Sequence, residues 1–147
     1  MPRKTKILAS IALILLAGCE TITGSKPEKA LWDALEIKSY DFVFQKSCFC
    51  GAVGPNPVKL SVRDGVVSAA APVGSFIGTM PPLSTYPTVD SLFAILDRAE
   101  KNTPDGVTVD FDPTYHYPTK ISVDPIKNAV DDEVVYSVES FVPIIAK

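Results

Sequence analysis

Apolar and polar positions along the chain sort into two repeating patterns. Ala30, Leu31, Ala34 and Leu35 recur at three and four, with Trp32 and Ile37 beside them, and predict an amphipathic helix from Pro27 to about Lys38. Tyr40, Phe42 and Phe44 then alternate with Asp41, Val43 and Gln45, which predicts a strand over Tyr40 to Cys50 with the aromatics on one face. Val58, Leu60 and Val62 form the next inward face. Asp64-Gly65 is a two-residue hairpin signal, because both turn positions need positive φ. Counted outward from that turn, Arg63 faces Val66, Val62 faces Val67 and Leu60 faces Ala69. Ala71 to Pro87, rich in proline and glycine, reads as a long surface connection in which Phe76, Ile77 and Met80 either pack down, the commoner arrangement, or stand exposed for a partner. Thr88 caps a second helix with Val89, Leu92, Phe93, Leu96 and Ala99 on one stripe, stopped by Asn102-Thr103-Pro104. Three more strands follow, marked by Val107/Val109/Phe111, by Ile121/Val123 and by Val134/Tyr136/Val138 with Val142. The order α-βββ-α-βββ predicts an α+β domain: an antiparallel sheet of about six strands with two helices packed on one face.

The N-terminus follows neither pattern. Arg3, Lys4 and Lys6 precede an apolar run from Ile7 to Leu16, and small residues then lead to Cys19. A run of about ten residues is too short to span a bilayer, which needs roughly 20, so it reads as the apolar region of a signal peptide. Leu16-Ala17-Gly18-Cys19 resembles the lipobox of bacterial lipoproteins. The resemblance implies cleavage before Cys19, a diacylglycerol on its thiol and acylation of the new amine. Several acyl chains give stable anchoring where one does not. On this reading residues 1–18 are a leader, 19–26 a tether and 27–147 a single domain. Glu20, in place of the aspartate that retains lipoproteins at the inner membrane, implies an outer-membrane location facing the periplasm in a Gram-negative host.

Composition changes once the leader is removed. The remainder, 147 residues less 18, is 129 long, enough for one domain with its own core. Taking Arg3, Lys4 and Lys6 from the 14 basic residues leaves 11 against 17 acidic ones, a net charge near −6. An acidic surface argues against nucleic acid as a partner, since phosphate neutralisation dominates that binding. It argues equally against adsorption to anionic head groups by charge alone. Lipidation of Cys19 leaves two cysteines, Cys48 and Cys50, in an oxidising compartment.

Several motifs in order resemble the bacterial lipoprotein and secreted domain family DUF6174, a family of unknown function. They are Trp32, Tyr40-Asp41-Phe42, Cys48-Phe49-Cys50, Val62-Arg63-Asp64-Gly65-Val66, the Leu92-Phe93 helix, Phe111-Asp112-Pro113 with Tyr117-Pro118, and Asp131-Asp132-Glu133. The resemblance covers nearly the whole chain after the tether and implies a glycine where this chain carries His116. It implies no activity.

Cys48-Phe49-Cys50 is the leading chemical constellation. Alternate residues of a regular strand lie about 6.5–7 Å apart, at the edge of disulfide geometry, so a bridge needs a bulge or a strand end; Gly51 and the loop after it supply one. The expectation is a local disulfide between Cys48 and Cys50, with a thiol-redox or metal site as the alternative. Redox chemistry needs a nearby positive charge, and Lys46 is the near candidate. His116, the single histidine, lacks a serine partner and reads as a loop residue that stacks or hydrogen-bonds. Asp110, Asp112, Asp131, Asp132 and Glu133 lack the spacing of a calcium loop and read as turn and edge residues. No phosphate loop, dinucleotide fingerprint or Gly-x-Ser-x-Gly occurs. The function expected is a non-enzymatic envelope module without cofactor or metal. Its expected partners are the membrane, through the lipid on Cys19, and another envelope protein or a small ligand.

Overall fold

The structure, a computed structural model, describes residues 24–48, 56–76, 78–126 and 132–145. Helix α1 spans Lys26–Ala34, and strands β1 (Tyr40–Cys48), β2 (Val58–Arg63) and β3 (Val66–Pro72) follow. Helix α2 spans Val89–Asn102 and precedes β4 (Val107–Phe111), β5 (Pro118–Val123) and β6 (Val134–Pro143). All six strands form one antiparallel sheet in the order β3-β2-β1-β6-β5-β4. Each run of three is a meander, and the two meanders join where β1 pairs with β6 at the centre. The α+β fold expected from the pattern is the fold found.

One face of the sheet is the core. Tyr40, Phe42 and Phe44, Val58, Leu60 and Val62, Ile121 and Val138 are all buried on it. Helix α2 covers it with Val89, Leu92, Phe93, Leu96 and Ala99, the stripe its periodicity predicts. Thr88 caps the helix, its Oγ1 accepting from the Ser91 N–H at 3.2 Å. Asp64 and Gly65 both have positive φ, as the hairpin turn requires, and the Gly65 N–H donates to the Lys38 carbonyl. Met80 packs against the core and accepts from the Tyr86 hydroxyl at 3.7 Å, while Phe76 is half-buried and Ile77 lies outside the described residues. Gly106 is needed for a close approach: a Cβ there would sit 2.1 Å from the Asp124 carbonyl oxygen, because the Asp124 N–H donates to the Gly106 carbonyl.

Four expectations fail locally, each for a backbone or packing reason. Helix α1 ends at Ala34 rather than near Lys38, since Glu36 takes φ +51° and turns the chain towards β1. Leu60 pairs with Ala70, not Ala69. Ser68 is the extra residue of a bulge opposite Ser61 and Val62, and its hydroxyl donates to the Ser61 carbonyl at 3.1 Å. In β6 it is Phe141, not Val142, that turns to the core. Ser140 adopts φ +54° at a second bulge, opposite Phe42, which shifts the alternation by one and leaves Val142 58% exposed.

The fourth concerns α1. The apolar stripe of Ala30, Leu31, Ala34 and Leu35 faces outward, with Leu31 46% and Leu35 42% exposed, while Trp32 is 2% exposed. At about 100° per residue, a helix turned to bury Trp32 swings Leu31 and Leu35 to its flank and Ala30 and Ala34 to its back. Trp32 decides the rotation because it is the largest apolar side chain and meets three aromatic rings edge-on: Tyr40 at 5.7 Å, Phe141 at 5.9 Å and Tyr117 at 6.5 Å between centroids. Such pairs contribute about 0.5–1.5 kcal/mol each beyond area burial.

Candidate functional site

Cys48 is the last residue of β1 and pairs with Val134 of β6, so it stands where the sheet ends. Cys50, like Cys19, lies outside the described residues. Lys46, on the same face as Cys48, places its ammonium over the Tyr136 ring at 5.7 Å.

His116 closes the turn between β4 and β5. The Asp112 carboxylate accepts from the Thr114 and Tyr115 N–H groups at 2.9 and 2.7 Å, and the Asp112 carbonyl accepts from the His116 N–H. His116 itself has φ +63°, the left-handed region that glycine occupies at least cost. The glycine implied at this position by the family resemblance therefore has a backbone reason. In this chain the side chain takes on a contact that glycine could not make: Nδ1 lies 2.8 Å from Glu28 Oε2, joining the turn to α1. Tyr115 and Tyr117 on either side pack on Phe141.

The other acidic residues singled out by sequence serve local structure. Asp132 accepts from the Ile126 N–H at 2.9 Å, and Glu133 accepts from the Ser122 hydroxyl at 2.7 Å. Asp131 lies outside the described residues. Among the described residues no three His, Cys, Asp or Glu side chains converge as a metal site.

Between α1 and α2 runs an open groove of about 430 Å³ that the pattern did not announce. Lys29 is its centre. Its ammonium meets Asp33 at 2.5 Å and Asp90 at 3.2 Å and lies 5.6 Å from the centroid of the Phe93 ring. Burial works against that charge, but the two aspartates outweigh it, so the Lys29 pKa stands above the ordinary 10.5. At the groove's end Glu100 grips the start of α1, accepting from the Ser25 N–H at 3.0 Å and the Ser25 hydroxyl at 2.8 Å. A helix stripe drawn through Trp32 passes Ser25, Glu28 and Lys29, so the signal for these contacts lay in the tryptophan rather than in the leucines.

Among the described residues no helix covers the second face of the sheet. Its middle, on the two central strands, is small or uncharged: Val43, Gln45 and Ser47 stand beside Val135 and Ser137, all half-buried. Lys59, Lys120 and Glu139, all exposed, ring that middle. At one end Arg63 donates to the Asp41 carboxylate at 2.8 Å and to the Tyr40 and Val62 carbonyls, and its hydrogen bond holds Asp41 below the ordinary carboxylate value. No helix of the described residues is long and apolar enough to cross a membrane.

Sheet and helices define an α+β domain in which, among the described residues, the helices cover one face of the sheet. A model of the family of unknown function DUF6174 matches residues 25–143, and the chain belongs to that family. Comparison with curated proteins and with solved structures found no match.

Proposed function

We propose that this protein is a lipid-anchored envelope protein that acts as a non-enzymatic binding module, using the open face of its sheet to hold another envelope protein. The observation that carries the reading is the composition of that face. A neutral centre of Val43, Gln45, Ser137 and Val135 with a charged rim follows the layout of a protein interface, where charge is depleted at the core and polar groups hold the edge. Lipobox-like Leu16-Ala17-Gly18-Cys19 supports acylation of Cys19 and an outer-membrane location facing the periplasm. Cys48 is the last residue of β1, and a bridge between alternate residues needs a strand end, which favours a structural Cys48–Cys50 disulfide. The thiol-redox alternative needs a cation for the thiolate, and the nearest candidate, Lys46, is engaged with Tyr136.

The test is a photoreactive residue at Gln45 in cells. It should crosslink one defined envelope protein, and Ser137→Arg should abolish that product. Labelling that is absent, or that Ser137→Arg leaves unchanged, rejects the open face as the binding surface.

A further inference from the structure

Helix α1 buries Trp32 and spends Ser25, Glu28 and Lys29 on Glu100, His116 and the aspartates of the groove, which Ala30 also lines, while Leu31, Ala34 and, at the helix cap, Leu35 stand exposed. A nine-residue helix gains most of its stability from tertiary contacts, so an outward apolar arc on it adds nothing to folding. The exposed area continues past the helix. The Ile144 N–H donates to the Ser39 carbonyl, which brings the end of β6 beside the segment after α1, and Ile144 and Ile145 are 43% and 79% exposed.

We infer that this outward face of α1 rests on the lipid leaflet that holds Cys19. The inference builds on the lipid-anchor reading above. Lys26 comes seven residues after Cys19, so an acyl anchor keeps the first turn of α1 within about 25 Å of the leaflet. A tethered surface is at high effective concentration, so an apolar contact too weak to capture free protein is enough to orient anchored protein. Lys26 and Lys38, both exposed, bracket the apolar arc, where long cationic stems lie along apolar surface with their heads in water. A second copy of the chain is the weaker occupant. Nine residues of helix, about 14 Å long and about 10 Å across, present a face on the order of 140 Å², far short of the roughly 800 Å² per partner that stable association requires.

The test uses the full chain purified from membranes and placed in vesicles of phosphatidylethanolamine and phosphatidylglycerol at three to one. Separate variants carry a photoreactive residue at Leu31, at Leu35 and, as a reference on the open sheet face, at Lys120. Intact mass first reports whether Cys19 is acylated. Acylated protein should then gain the mass of one phospholipid from positions 31 and 35 and none from 120. Two labelled positions on exposed sites keep the result independent of one variant's folding. Acylated protein that shows no lipid adduct at 31 and 35, or a dimer or a foreign protein there instead, overturns the inference while the anchor stands. Protein without acyl chains overturns the anchor itself.

Discussion

The Tyr40 hydroxyl oxygen accepts the Val89 backbone N–H at 2.9 Å in the buried centre of the domain. Tyr40 opens the central strand β1 and Val89 is the first residue of α2, so one side chain from the sheet satisfies one of the unpaired donors that every helix start leaves. Thr88 satisfies another from the exposed side. The second half of the chain is thereby docked on the first by a hydrogen bond between residues 49 apart.

Tyr40→Phe keeps the ring against Trp32 and Phe141 but leaves the Val89 N–H without its partner. A buried unsatisfied donor costs about 1–3 kcal/mol. The midpoint of urea unfolding should fall accordingly with an unchanged slope, and an unaltered midpoint would show that water reaches the helix start.

Alkaline unfolding should report the same residue. Burial pushes the Tyr40 hydroxyl from the ordinary 10.0 up to about 12, and burial likewise pushes Tyr117 up to about 12. A raised acid pKa means the unfolded chain releases its proton first. The stabilisation is therefore complete below pH 10 and is lost as pH rises from 10 towards 12. For Tyr40 the loss amounts to about 2–3 kcal/mol across that window. Ultraviolet titration of phenolate beside unfolding free energies from pH 8 upward checks it, and Tyr40→Phe should flatten the decline.

At position 116 backbone and side chain pull in opposite directions. His116→Ala loses the Glu28 contact and keeps the left-handed φ of +63°, whereas His116→Gly loses the contact and relieves the backbone. Glycine should be the more stable of the two by about 1 kcal/mol, the cost of a side chain in that region. Thermal unfolding of both variants beside the parent decides it, and equal midpoints would mean the turn relaxes.

Leu31→Gln with Leu35→Gln should leave stability within about 0.5 kcal/mol of the parent, as surface changes do. Trp32→Ala in the same helix should cost about 3–5 kcal/mol. The contrast, read by denaturant titration, measures which side of α1 the fold uses. A large loss from the leucine pair would return them to the core.

Most of the architecture was legible in one dimension. Alternation at Tyr40-Phe42-Phe44 and Val58-Leu60-Val62, and the three-four stripe of α2, report burial directly, because strand and helix periods map sequence onto a face. Asp64-Gly65 marked a turn through glycine's freedom, whereas Gly106 owes its place to the closeness of the Asp124 carbonyl. Two kinds of information were not in the pattern. A bulge is one residue of slack in a ladder, and nothing in Ser68 or Ser140 announces it; its effect appears only when the partner strand fixes the register. The rotation of a short helix is set by its heaviest contact, here Trp32 among Tyr40, Tyr117 and Phe141, which are neighbours in space alone.

For the sites the division is similar. The sequence by itself singled out His116 and the Cys48/Cys50 pair, each a matter of residue type and spacing, and its resemblance to a lipobox implied an anchor at Cys19. Only the tertiary structure joined His116 to Glu28, clamped Ser25 with Glu100, placed Lys29 between Asp33 and Asp90, and turned Leu31 and Leu35 outward. Charge pairing and exposure depend on distances of a few ångströms between segments far apart in the chain, and those distances exist only after the two meanders close on each other through β1 and β6.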